Sequence, residues 1–293
     1  MAIDYHTLKH WTFPDVEHTY TDKDSILYAL AIGLGSDPVD PRPLRYVYEK
    51  ELRTLPTMAA VLGSPGFWQK DPATGIDWVR LVHGEQRLQV HQPLPPAGTV
   101  IGRMRVKSIT DKGPGKGAIV VCERSLIDKS SGQLLVSMDQ TSFCRGDGGY
   151  SSSGQPGDQP SDQAPDPRPA PPPGAPDVSL DLPTRSDMAL LYRLLADRNP
   201  LHADPEVARA AGFERPILHG LALYGLAAHA LVRSFCEYDA RRLVCIDTRF
   251  SAPVYPGETV RMEMWRQGRQ IAFRARVAER DSVVLNHGYA EIA

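Results

Sequence analysis

The stretch YRLLADRNPLHADPEVARAAGFERPILHG, residues 192–220, runs directly into LALYGLAAHALVRSF, residues 221–235, and decides how the chain is read. Residues 217–235 are apolar on nearly every side. A helix wrapped by a sheet reads this way, because no face of it meets water. Just upstream, SDMALLYRLLA (186–196) has helical patterning. Strands are expected downstream at RLVCIDTRFSAPV (242–254), ETVRMEMWRQGRQ (258–270), IAFRARVAER (271–280) and VVLNHGYAEI (283–292). One buried helix followed by four long strands suggests an antiparallel sheet curled around that helix.

The first half of the chain repeats this order. DKDSILYALAIGLG (22–35) predicts a helix, with Asp22 or Asp24 as N-cap and glycine at its end. Strands follow at RLQVHQPL (87–94), TVIGRMRVKSI (99–109), GAIVVCERSLIDK (117–129) and QLLVSMDQTSFCR (133–145). The last two alternate in polarity around Lys129-Ser130-Ser131-Gly132, as a β-hairpin does. The nearest counterpart of the long buried helix is LPTMAAVLG (55–63), which is short, so the repeat is degenerate. The expected class is α+β with two similar halves.

Between the halves, residues 146–179 are rich in Pro, Gly, Ser, Asp and Gln. That composition buries too little apolar surface to offset its ordering entropy, so a linker is expected, with PAPPPGAP extended. The organisation is then an N-terminal half over 1–145, a linker over 146–179 and a C-terminal half over 180–293.

With 293 residues the chain can hold two modules of roughly 100–150 residues each. A net charge of −2 speaks against a nucleic-acid binder. No stretch approaches the roughly 20 apolar residues of a membrane span. The first residues have no secretory pattern and the last carry no peroxisomal tripeptide, so a cytoplasmic address is expected. Cys122, Cys144, Cys236 and Cys245 lack metal-ligand spacing and are expected as reduced core residues.

Asp197, Asn199 and His202 stand at i, i+2 and i+5 just past a helix end, around an Asn-Pro pair that favours a turn. A carboxylate, an amide and an imidazole on one side of such a turn could hold one water and move its protons. The spacing alone fits an Asx-turn with a satisfied histidine equally well. Pro216-Ile-Leu-His-Gly220 then opens the apolar helix, where free N–H groups could stabilise a developing oxyanion. His219 reads as a cap or core residue.

The stretch 192–220 resembles the signature of MaoC-like, hydratase 2 type enoyl-CoA hydratases. TDKDSILYALAIG, LRYVYE, LVHGEQ, PLPPAG, DKGPGKG, FSAPVYPGE and EMWRQG also resemble family motifs, so the likeness spans nearly the whole chain. The resemblance implies a double hotdog fold, with catalysis in the C-terminal half and the acyl chain housed by the N-terminal half. It also implies hydration of trans-2-enoyl-CoA to (3R)-3-hydroxyacyl-CoA without metal or other cofactor. Asp197 and His202 match the acid–base pair, Asn199 the amide beside the water, and Gly220 the N–H that polarises the thioester. His83, Gly84, Lys112 and Phe250 fall where the family contacts acyl-CoA, and Arg198, Pro200 and Leu201 complete the substrate-facing loop. Glu49 and Glu85 also lie in family motifs, and structural hydrogen bonds are expected of both. Ala196 departs from the family's glycine; a positive φ there would cost about 1 kcal/mol. The alternatives are a hotdog acyl-CoA thioesterase, or a non-catalytic acyl-CoA-binding subunit. A homodimer is the expected partnership.

Overall fold

The computed structural model describes residues 3–151, 159–195 and 197–293. Its strands are β1 (Val16–Tyr20), β2 (Leu81–Val90), β3 (Gly98–Asp111), β4 (Ala118–Asp128), β5 (Leu134–Cys144), β6 (Val178–Pro183), β7 (Leu243–Phe250), β8 (Thr259–Gln267), β9 (Gln270–Val277) and β10 (Ser282–Ile292). They form a single antiparallel sheet in the order β1-β3-β4-β5-β2-β7-β10-β9-β8-β6. Counted from either edge inward, the halves match: β1-β3-β4-β5-β2 in one and β6-β8-β9-β10-β7 in the other. They join through β2 and β7, from Glu85 opposite Arg249 to Gln89 opposite Cys245. The expected doubling of the halves is therefore present, but only the last three long strands of each half run as a meander: β2 and β7, first in sequence, pair with β5 and β10 instead of with β3 and β8.

The short helices are α1 (Tyr5–Lys9), α2 (Asp22–Ala31), α3 (Leu44–Val47), α4 (Met188–Tyr192) and α5 (Pro205–Ala210), and the long one is α6 (Gly220–Phe235). Every residue of α6 from Ala222 to Val232 is buried. Its polar groups are satisfied by the neighbours that wrap it: Tyr224 Oη donates to Ile246 O at 2.8 Å, and His229 Nδ1 lies 3.3 Å from Ile32 O. Side chains from both halves share its core, including Met58, Ala59, Leu126 and Val136 from the first and Met262, Phe273 and Val284 from the second.

Several local expectations change. Thr21, not Asp22 or Asp24, caps α2, with Asp24 closing a capping box from the third helical position. Residues 55–63 hold only a 3-10 helix, Pro56–Val61, though all six of its residues are buried. The helix expected over 186–196 stops at Tyr192 and tightens: Leu194 N and Leu195 N donate to carbonyls three residues back. Ala196 itself lies outside the described residues. Strand β2 begins at Leu81 instead of Arg87 and so includes His83, Gly84 and Glu85, because a bulge at Gly84 lets the ladder continue on both sides.

One close backbone approach fixes the segment after the 3-10 helix. A Cβ on Gly102 of β3 would sit 2.0 Å from Gly63 O, and Gly63 has a φ of +57°. Two glycines thus let the chain after the 3-10 helix lie flat on β3. All four cysteines are free and buried, as expected.

The described part of the inter-half segment is tied down. Asp162 accepts from Tyr5 Oη at 2.7 Å, from Lys9 Nζ at 2.6 Å and from Ile109 N at 2.8 Å. Farther along, Arg168 pairs with buried Asp247 at 2.5 Å, and Arg168 O accepts from His287 Nδ1 at 2.8 Å. Burial raises the Asp247 carboxyl above its ordinary value, and the Arg168 charge opposes that rise. The polar composition that kept this segment out of the core supplies the ion pairs that hold it against the sheet.

Candidate active site

Asp197 to His202 form a compact polar turn. Asp197 Oδ1 accepts from Asn199 N at 2.9 Å, and Asn199 Oδ1 accepts from Leu201 N at 3.1 Å, capping a 3-10 turn at Pro200–His202. The Asx-turn and the polar cluster are therefore both present, one built by the other. His202 Nε2 lies 3.9 Å from Asp197 Oδ2, with the histidine buried and the carboxylate half-exposed. That spacing is too long for a direct hydrogen bond and suits a bridging water.

Hydrogen bonding fixes the tautomers. His202 Nδ1 lies 2.8 Å from Ile217 O. A carbonyl can only accept, so Nδ1 carries the proton and Nε2 presents its lone pair toward Asp197. His219 Nε2 lies 3.0 Å from Asp197 O and by the same reasoning is protonated. Its Nδ1 is then a buried acceptor, and it has no partner among the described residues. The two rings stack at 3.7 Å between centroids and 26° between planes. His219 thus belongs to the cluster, which sequence reading missed; its position immediately before Gly220 was the available signal.

Asp197, His202 and His219 offer atoms within 4.8 Å of one another, close enough to ask whether they suit a metal ion. Nitrogen lone pairs lie in the ring planes, and stacked rings send them side by side instead of toward one point. One nitrogen of each ring is already spent on a carbonyl. The donor set fits proton handling better than metal ligation.

Gly220 is the first residue of α6, and neither Gly220 N nor Leu221 N has an acceptor among the described residues. These are the free donors every helix start leaves. A Cβ on Gly220 would meet the Phe250 ring at 3.3 Å, so glycine keeps the approach open while Phe250 forms one wall. His83 packs edge-on against Phe250 at 4.8 Å, with Nε2 3.1 Å from Glu85 O. The site residues come from the loop, the start of α6, β2 and β7, which meet where the two halves join.

The remaining expected residues lie around this centre. Arg198 and Pro200 are exposed on the loop and Leu201 is half-buried. Lys112 is exposed in the β3–β4 turn, where its backbone N donates to Gly117 O at 3.0 Å. The register Asp111–Ala118–Cys144–Leu81 puts that turn at the His83 end of the sheet. Glu85 finds the structural partners expected of it: Arg249 at 2.7 Å and Arg87 at 3.3 Å. Glu49 is exposed and makes no hydrogen bond among the described residues, contrary to expectation.

Desolvation lowers the histidines of this region. It holds His83 and His219 down at about 4, and moves His202 below its ordinary 6.5. Buried His229 in α6 is likewise held at about 4. All are neutral at pH 7. Between pH 6.5 and about 4 the unfolded chain binds protons at these sites that the folded chain refuses, so acid favours unfolding in that window. The denaturation midpoint should therefore fall steadily from pH 7 to pH 4.5, before most carboxylates titrate. His229→Gln should flatten that slope; a pH-independent midpoint would contradict the buried neutral histidines.

Residues 169–287 match the family model described as MaoC like domain, and residues 18–146 match that of the MFE-2 hydratase 2 N-terminal domain. The chain is 38% identical to a protein of Arabidopsis thaliana named Enoyl-CoA hydratase 2, peroxisomal, over 95% of this chain and 92% of that one. It is 37% identical to Enoyl-CoA hydratase ChsH3 of Mycobacterium tuberculosis, over 98% of each. Among solved structures, a MaoC-like dehydratase from Phytophthora capsici superposes with a TM-score of 0.84 at 31% identity, covering 98% of each chain. A double hotdog protein from Mycobacterium tuberculosis, at 18% identity and a TM-score of 0.53, covers 95% of this chain and 93% of that one. It shares the fold alone.

Proposed function

This chain belongs to the MaoC-like hydratase family and has its double hotdog fold, and on that premise we propose that it is an (R)-specific 2-enoyl-CoA hydratase. The observation that carries the reading is the pair of facing acceptors, His202 Nε2 and Asp197 Oδ2, 3.9 Å apart beside the free N–H groups of α6. A water between them loses one proton to the pair as its oxygen bonds to C3 of a trans-2-enoyl thioester. The electron pair of the double bond moves toward the thioester carbonyl, whose developing oxyanion is held by Gly220 N–H. The pair then returns one proton to C2, so the elements of one water are added and the enzyme ends as it began. The Asn199 amide stands beside the water, and Phe250 and His83 wall the reacting carbons. No cofactor enters this scheme.

Lys112 is assigned to the CoA portion, where an exposed cation in a glycine-rich turn suits a phosphate. Arg198, Pro200 and Leu201 are assigned to the substrate-facing rim. The reading also carries a cytoplasmic homodimer. β1 and β6 leave the two edges of the sheet unpaired within the described residues, which self-association could cover. Among the described residues, no helix is long and apolar enough to cross a membrane.

The test is loss of enoyl absorbance on mixing with trans-2-enoyl-CoA, with the product offered to (R)- and (S)-specific 3-hydroxyacyl-CoA dehydrogenases. The expected product is oxidised by the (R)-specific enzyme alone. Release of free CoA would instead make the protein a thioesterase, and tight binding without turnover a non-catalytic subunit.

A further inference from the structure

The inner face of the N-terminal half carries a polar patch that hydration does not use. Register sets His83, Gln86 and Leu88 of β2 opposite Ser142, Gln140 and Met138 of β5, and sets Gln140 and Met138 opposite Cys122 and Arg124 of β4. Paired residues point to the same side of a sheet, so all of these face the interior, as buried Leu88, Met138 and Leu126 do. Arg124, Gln86 and Gln140 line a narrow cleft of about 30 Å³. Its roof is the segment from Ser64 to Gln69 that the Gly63–Gly102 contact lays across the sheet.

Arg124 is the unusual member. Its Nη2 donates to Ala60 O at 2.6 Å, while Nε and Nη1 have no acceptor and no carboxylate pairs with it among the described residues. Other partly buried arginines of the strands, Arg87, Arg249, Arg274 and Arg276, each face a carboxylate. Burial lowers the guanidinium to about 10, which leaves it charged at neutral pH. A cation facing Met104, Cys122 and Met138 without a counter-ion is costly, and a ligand anion would remove that cost. The patch also shares a sheet face with one wall of the candidate active site. His83 sits on the same face as Gln86 and touches Phe250, the wall beside Gly220. From His83 to Arg124 the backbone steps four residues along the register and two strands across, a diagonal of about 16 Å.

We propose that Arg124, with Gln140 beside it, binds an anionic group at the far end of the acyl chain, so that the preferred substrate is an ω-carboxy-2-enoyl-CoA. The guanidinium fork matches a carboxylate in two hydrogen bonds, and the half-buried Gln140 amide offers a further donor. This specificity rests on the hydratase reading of the Asp197–His202 cluster.

The test compares trans-2-enoyl-CoAs of matched medium and long chain lengths that end in a methyl group or in a carboxylate. Turnover is measured as kcat/KM, and binding of the corresponding saturated acyl-CoAs by calorimetry, for the full chain and for Arg124→Met and Gln140→Glu. The unaltered protein is expected to favour the carboxylate tail by about 10- to 100-fold at one chain length, as a charged hydrogen-bonded pair would give. Arg124→Met should bring that ratio toward one. Gln140→Glu, which gives Arg124 an internal counter-ion, should do the same even if Arg124→Met fails to fold. Equal treatment of both tails by the unaltered protein at every length, or a preference that survives both substitutions, overturns the proposal. Binding is read without turnover, so a protein that prefers the carboxylate tail yet hydrates nothing would keep the tail site and remove the hydratase reading.

Discussion

Asp197→Asn is expected to lower kcat for hydration by about 10³-fold while leaving KM and stability nearly unchanged. The asparagine can still accept from Asn199 N through Oδ1, so the turn that Asp197 builds at 2.9 Å is kept. The side chain is 52% exposed, and surface substitutions of that kind usually stay within about 0.5 kcal/mol. What changes is the group facing His202 Nε2: a carboxylate that can take a proton becomes an amide that cannot. His202→Gln should cost a similar factor, and the double variant little more, because two residues that handle one proton act as a unit. The measurement is single-turnover hydration of a short trans-2-enoyl-CoA, with thermal unfolding as the control. An Asp197→Asn protein that kept most of its kcat would show that the facing acceptors are not the proton-handling pair. A 10³-fold loss with an intact fold would place the chemistry at the 3.9 Å gap between them.

The long buried helix, the eight long strands and the Asp-x-Asn-Pro-x-His loop were legible because each leaves a dense local pattern. α6 is apolar on all faces, and the strands alternate or run apolar with turn residues between them. β1 and β6 were not legible. Each is a short edge strand with an exposed face, and β6 ends in a proline, so neither carries a burial pattern strong enough to separate it from loop. The reach of β2 was missed for a related reason. The bulge at Gly84 shifts the side-chain alternation by one residue, so period-two reading loses the strand just where His83 enters the site. Partners distant in sequence were hidden altogether. Glu85 with Arg249 and Asp247 with Arg168 are separated by 164 and 79 residues, and only the sheet brings them together. His219 was read as structural because a histidine at a helix start usually is. Its stacking on His202 depends on the loop folding back over α6, which no local pattern encodes.

Gly220 offers a sharper test of the oxyanion role, because the donor can be deleted without breaking the helix. Gly220 occupies the first helical position, where proline is well tolerated, and His219 before it has φ −60° and ψ 135°, a conformation that a following proline permits. Gly220→Pro therefore removes one N–H while leaving α6 able to form. It also adds bulk against Phe250, which a Cβ would meet at 3.3 Å, so Gly220→Ala is the necessary comparison: it brings the Cβ and keeps the donor. The alanine variant should lose activity modestly, to the extent that the Phe250 ring must shift by a few tenths of an ångström. The proline variant should lose a further 10²- to 10³-fold in kcat, the usual effect of removing one oxyanion donor. Binding of a saturated acyl-CoA should change far less, because the charge that the N–H stabilises develops only as water adds to C3. If proline and alanine cost the same, the loss is steric and Leu221 N–H or solvent carries the oxyanion. A large gap between them would show that the start of α6 is part of the chemistry as well as of the core.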